Sequence, residues 1–105
     1  MSIPVSGTFT ALSVSVHGND VVVVGEIDAH TRAELDHALA RITVGDLDVD
    51  MTDVTFIDSS GLRSLISAHL EAEALGHRFR LIGPRPSVVR MFEVSGIGSL
   101  FTIVD

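Results

Sequence analysis

Apolar and polar residues alternate from Phe9 to His17, with Leu12, Val14 and Val16 on one side and Ser13, Ser15 and His17 on the other, the period of a half-exposed strand. Gly18-Asn19-Asp20 marks a turn. The β-branched run Val21 to Val24 predicts a second strand, antiparallel to the first and more fully buried. Gly25-Glu26-Ile27-Asp28 closes it, and Thr31-Arg32-Ala33-Glu34 has the hydroxyl-to-glutamate spacing of a capping box, so a helix is expected to begin there. Leu35, Ala38, Leu39 and Ile42 recur on one face of that helix, and Gly45 ends the segment. Leu47, Val49 and Met51 then alternate with Asp46, Asp48 and Asp50. This predicts a strand with carboxylates along a sheet face partly open to solvent.

Val54 to Ile57 leads into the stretch around which the chain is organised, Phe56-Ile57-Asp58-Ser59-Ser60-Gly61-Leu62, where an apolar strand stops at small polar residues and a helical pattern begins. Leu62, Leu65, Ile66, His69 and Leu70 share one predicted face of that helix, Glu71 and Glu73 face out, and Gly76 is its C-cap. Phe79, Leu81 and Ile82 predict a short strand. Gly83-Pro84-Arg85-Pro86-Ser87 turns the chain into a last helix with Val88, Met91 and Phe92 inward, ended by Ser95-Gly96, and Leu100 to Val104 adds a final strand. Strands alternating with helices after an opening hairpin predict an α/β fold: one domain over residues 1–105, with a mixed, mostly parallel sheet and crossover helices. The first six or so residues are expected to be disordered.

Composition narrows the chemistry. A chain of 105 residues, 46% hydrophobic, supports one core. Fourteen acidic residues against seven basic ones give a net charge of −7, which would repel nucleic-acid phosphates and anionic membranes and favours a protein partner. There is no cysteine, so disulfides and thiolate chemistry are absent. All the basic residues are arginine, which removes the phosphate-binding loop ending in Gly-Lys-Ser/Thr and Schiff-base chemistry. Met1 to Gly7 has no basic flank or signal-like apolar run, and no stretch reaches the roughly 18 apolar residues of a membrane span. These features place the chain in the cytoplasm, without membrane insertion and without a cofactor.

The remaining candidates for chemistry are few. A calcium loop starting at Asp46 would need glycine where Met51 stands and glutamate where Ile57 stands, so no metal site is expected and the aspartates read as a solvated face. A nucleophile elbow needs glycine two residues before its serine, but Ile57 precedes Ser59 there and Asp58 precedes Ser60. The five histidines are scattered: His17 ends a strand, His30 and His37 flank the first helix, His69 lies by an apolar stripe and His77 follows a cap. Only His30 falls near the central junction. Asp58-Ser59-Ser60-Gly61 itself supports two readings. It can simply cap a helix. It can also offer hydroxyls at the positive end of a helix dipole, where a phosphate is tolerated, with Gly61 allowing close approach of another molecule.

Gly25-Glu26-Ile27-Asp28, then Phe56-Ile57-Asp58-Ser59-Ser60-Gly61-Leu62, then Val89-Arg90-Met91-Phe92-Glu93-Val94-Ser95-Gly96, in this order and spacing, resemble the STAS domain of the anti-sigma factor antagonists. The resemblance covers nearly the whole chain. It implies a non-enzymatic protein whose unmodified form binds an anti-sigma factor with serine kinase activity, releasing a sigma factor. The kinase then phosphorylates the serine after the motif aspartate, the complex loosens, and a serine phosphatase resets the cycle. Carried over, that serine is Ser59, with Ser60 as the fallback. The resemblance further implies a partner surface of Asp28, His30, Thr31, Asp58, Ser60, Gly61, Leu62 and Arg63, with Leu62 also holding the second helix on the sheet. Arg63 departs from the best-known antagonists, which have a second glycine there. In the wider family the same domain docks on the ATPase of a lipid-trafficking transporter or serves as a stressosome scaffold component, which are the alternatives to the switch. A small phosphotransfer enzyme is the reading from another class, disfavoured by the missing lysine. Oligomeric state is not written in the sequence.

Overall fold

The hydrophobic pattern resolves into a five-stranded sheet in a computed structural model that describes residues 12–41 and 45–105. The expectations for Phe9, Ile42 and the first residues of the chain lie outside the described residues. Strand β1 (Ser13–His17) pairs antiparallel with β2 (Asp20–Ile27) across a turn in which Gly18 takes a left-handed φ of 64°. Helix α1 (Arg32–Ala40) leads to β3 (Leu47–Ile57), α2 (Ser59–Ala74) to β4 (Phe79–Ile82) and α3 (Pro86–Val94) to β5 (Thr102–Val104). From β2 onward all neighbours are parallel, and the spatial order β1-β2-β3-β4-β5 equals the chain order. Right-handed crossovers that keep stepping in one direction place every helix on the same face of the sheet.

Between that face and the helices lies the core. Val21, Val23, Val49, Met51, Val54 and Leu81 from the sheet meet Leu35 of α1, Leu65 of α2 and Val88 and Phe92 of α3. Phe79, Phe92 and Phe101 form an aromatic group, and His69 packs edge-on against Phe79 and Phe101 at 5.8 Å each. Two helices end in the same way: the Gly76 N–H donates to the Glu73 carbonyl and the His77 N–H to the Ala72 carbonyl, a pairing repeated by Gly96 and Ile97 on Glu93 and Phe92. That geometry needs the positive φ of Gly76 and Gly96.

β3 is longer than the alternation predicted, because it runs on through Val54 to Ile57 with two irregularities. Val22 pairs with Asp50 and Val24 with Asp53; Gly25 pairs with Val54 and Glu26 with Phe56. In each interval β3 carries one residue more than β2, so its buried positions shift from every second residue to Met51, Val54 and Ile57, three apart. The first bulge is pinned by the Thr52 N–H, which donates to Asp50 Oδ1 (2.9 Å), and by Arg85 Nε, which donates to the Thr52 carbonyl (3.0 Å).

Three expectations change. Val24 is 40% exposed rather than buried, since it points to the sheet face opposite the helices. Leu70 is 51% exposed, and Ser64, at 2%, turns inward instead, because α1 packs along the small-residue flank of α2. His37 lies inside α1 rather than beside it. On the open face the aspartates have separate partners. Asp46 Oδ1 accepts from the Arg78 N–H (2.7 Å), and Asp48 takes a bidentate pair from Arg80 (2.8 and 2.7 Å). The hydrogen bond from Arg80 is the main cause that holds the Asp48 carboxyl below its usual pKa, against the opposing effect of desolvation.

Candidate functional site

Because β2 and β3 are adjacent and parallel, the loops that follow them emerge side by side. The Asp58 N–H donates to the Ile27 carbonyl (3.1 Å), which ties the two strand ends together. From there Asp58, in extended conformation, caps α2: its Oδ1 accepts from the N–H of Ser60 (2.9 Å) and of Gly61 (3.0 Å), and its carbonyl accepts from the Leu62 N–H (2.9 Å). The N–H groups of Ser60, Gly61 and Leu62 are therefore occupied within the chain. Ser59, the first helical residue, is exposed, Ser60 is half-buried, and Arg63 is exposed one turn further on.

Gly61 does something other than what its sequence suggested. It is buried, and a Cβ built there would stand 2.7 Å from Ile27 Cγ2, 2.7 Å from Ile57 Cγ1 and 2.9 Å from the Ile27 carbonyl oxygen. The missing side chain admits the strand ends, not an outside molecule. Leu62 is buried beside it at 4% exposure.

The neighbouring β2–α1 loop is built by Asp28 and Thr31. The Thr31 hydroxyl donates to the Glu26 carbonyl (2.7 Å) and accepts from the Asp28 N–H (2.9 Å), which pulls it back toward the strand. Thr31 is the N-cap residue of α1 by position, yet its side chain makes no cap bond, so the expected capping box does not form. Asp28 Oδ1 in turn accepts from the N–H of His30 (2.9 Å) and Thr31 (3.0 Å). Desolvation opposes ionisation of Asp28, but the bonds from Thr31 and His30, with the nearby His30 charge, outweigh it and hold the carboxyl below its usual pKa. His30 itself projects as an exposed residue from a loop fixed by its neighbours.

Of the residues singled out from sequence, then, the two loops bring Asp28, His30, Thr31, Asp58, Ser59 and Ser60 to one end of the sheet. Ser59, His30 and Arg63 are exposed, Gly61 and Leu62 are buried beneath, and Asp28, Thr31 and Asp58 hold the backbone. Sequence reasoning missed Phe56, which is 48% exposed and, with its register partner Glu26, faces away from the helices just before the junction. Its signal was hidden in the β3 bulge. The site is shallow: a sheet whose parallel strands never reverse order has no crevice between diverging crossovers, which is where small molecules bind in open α/β folds. No described helix is long and apolar enough to cross a membrane, and among the described residues no cluster of acidic or histidine side chains is suited to a metal ion.

A family model described as "Mlab, STAS domain" matches residues 10–104. The chain is 31% identical over 87 residues to the anti-sigma-B factor antagonist of Listeria monocytogenes, covering 80% of this chain and 76% of that protein. It is also similar to the solved structure of the anti-sigma factor antagonist SpoIIAA in its unphosphorylated form (TM-score 0.65, 28% identity, 90% of this chain and 88% of that one). The phosphorylated form of the Bacillus cell fate determinant SpoIIAA matches with a TM-score of 0.60 at 27% identity, covering 90% and 91% of the two chains. Sequence pattern, sheet order and these similarities agree: the chain belongs to the STAS domain family.

Proposed function

We propose that this chain is an anti-sigma factor antagonist that works by partner switching. Its unmodified form binds an anti-sigma factor that is also a serine kinase, and the sigma factor is released. The kinase then modifies Ser59: its Oγ attacks the γ-phosphorus of ATP, the new O–P bond forms as the bond to the β-phosphate oxygen breaks, ADP leaves, and the hydroxyl proton passes to the kinase's base. Water delivered by a serine phosphatase reverses the modification. The observation that carries this reading is the exposed Ser59 at the head of α2, set in two loops that hydrogen bonds already hold in shape. Its support by kinship is that a relative is named an anti-sigma-B factor antagonist and that a structural neighbour is known in a phosphorylated form.

The partner surface is Asp28, His30, Thr31, Asp58, Ser60, Gly61, Leu62 and Arg63. His30 and Arg63 touch the partner, while Asp28, Thr31, Asp58 and the buried Gly61 and Leu62 set the shape of what is touched. A phosphate adds about −1.5 to −2 charges beside Asp58, Asp28 and Glu26, which disrupts a closely packed interface without refolding the domain. Phosphate incorporation from labelled ATP in a lysate of the source organism, compared across the wild type, Ser59→Ala and Ser60→Ala, tests this. Label lost only with Ser59→Ala is expected. No label in a folded protein with partners present would instead favour a constitutive docking subunit on a lipid-transporter ATPase or a stressosome scaffold.

A further inference from the structure

A phosphate on Ser59 needs a counter-charge, and the geometry of α2 limits where one can come from. The helix N-terminus is the usual source. Here, however, the N–H groups of Ser60 and Gly61 already donate to the Asp58 carboxylate, and that of Leu62 donates to the Asp58 carbonyl. The same carboxylate adds a negative charge next to the modified residue. Across the seam the β2–α1 loop offers the Asp28 carboxylate, held by the His30 and Thr31 N–H groups, and the exposed imidazole of His30, which already lies close to that carboxylate.

One cation remains on this element. Arg63 is the only arginine of α2, exposed and four residues after Ser59, so its side chain rises from the same strip of helix surface, with about 5–6 Å between Cβ atoms at that spacing. Among the described residues its guanidinium makes no salt bridge or side-chain hydrogen bond. An acidic group preceding a basic one by four residues is the favourable order on a helix, and a guanidinium matches phosphate oxygens with two parallel N–H donors.

We propose that Arg63 is the internal counter-ion of phosphoserine 59, drawing the phosphate along α2 and away from Asp58. This rests on the reading that Ser59 is the modified residue. Arg63 then sets how much of the added charge a docked partner meets. The partner is released by what Arg63 leaves uncompensated, and in the modified state the first turn of α2 is braced from both sides.

The test uses the full chain with phosphoserine installed at position 59 during translation, so no kinase is involved, and follows the phosphorus-31 shift through the second phosphate ionisation. Arg63→Gln should raise that midpoint by about 0.15–0.4 pH unit, as expected for losing one exposed helical ion pair. Arg63→Lys should keep at least half of the effect. The difference should shrink in 1 M salt, where the screening length falls to about 3 Å. Arg90→Gln, which removes an exposed arginine from α3, should leave the midpoint in place. Circular dichroism confirms that each variant is folded. An unchanged midpoint in Arg63→Gln, or an equal rise in Arg90→Gln, overturns the proposal. Failure of the switch itself would look different: the encoded phosphoprotein would keep binding its partner while the phosphorus titration still responded to Arg63.

Discussion

Replacing Gly61 by alanine tests the junction with a single methyl group. The added Cβ would lie 2.7 Å from two isoleucine side-chain carbons and 2.9 Å from the Ile27 carbonyl oxygen. The side chains of Ile27 and Ile57 are buried on the core side and have little room to turn. The carbonyl cannot retreat without lengthening its hydrogen bond from the Asp58 N–H, the bond that ties β2 to β3. Overpacking of this kind costs about 1–3 kcal/mol. Alanine recovers up to about 1 kcal/mol of helix propensity over glycine. The net loss is therefore about 1–2 kcal/mol, or a fall in Tm of roughly 5–15 °C for a domain of this size. The chain has no tryptophan or tyrosine, so urea and thermal unfolding are best followed by far-ultraviolet circular dichroism. A variant as stable as the parent or more so would show that α2 does not seat on the strand ends as described, and that Gly61 serves an outside molecule after all.

Other consequences follow from individual bonds. Asp58→Ala removes the acceptor for two N–H groups at the head of α2 and should cost about 1–2 kcal/mol in urea unfolding, with hydrogen exchange rising first at Ser60 and Gly61. Thr31→Val keeps the shape but loses the bond to the Glu26 carbonyl; a loss near 1 kcal/mol and faster exchange of the Asp28 amide are expected, while unchanged exchange would contradict the loop's construction. Asp48 and Arg80 should couple by about 1 kcal/mol in a double-mutant cycle, the upper range for a pair that is partly exposed. Because the Asp48 pKa is lowered on folding, its contribution is fully present above the unfolded value near 4 and is lost as pH falls through the lower folded value. Asp48→Asn should therefore flatten the decline in stability below about pH 4, leaving the part due to Asp28, whose shift has the same sign.

The sequence was most informative where local pattern and tertiary structure ask for the same thing. The Val14 and Val16 alternation, the Gly18 turn and the valine run define the hairpin without help from distant residues. Gly76 and Gly96 end their helices because the left-handed closing residue is a local requirement. The β3 bulges were not legible, since an extra residue is visible only against the partner strand that Met51-Thr52 and Thr55 fail to match. Thr31 shows the same limit: its spacing to Glu34 is that of a capping box, but once the loop folds back its hydroxyl accepts from the Asp28 N–H and donates to the Glu26 carbonyl instead. At the candidate site the residue types were readable and their division of labour was not. Nothing in Asp-Ser-Ser-Gly says which members support the loop and which meet solvent; that depends on β2 and β3 being neighbours, with Ile27 under Gly61.

The central claim is that charge on Ser59 dissolves an interface that the unmodified loops form. The direct measurement is a calorimetric titration of the source organism's serine-kinase anti-sigma factor with the unmodified chain and with the chain carrying phosphoserine at position 59. The account predicts tight binding of the unmodified chain and at least a hundredfold weaker binding of the phosphorylated one, equivalent to about 3 kcal/mol. Equal affinities for the two forms would contradict it.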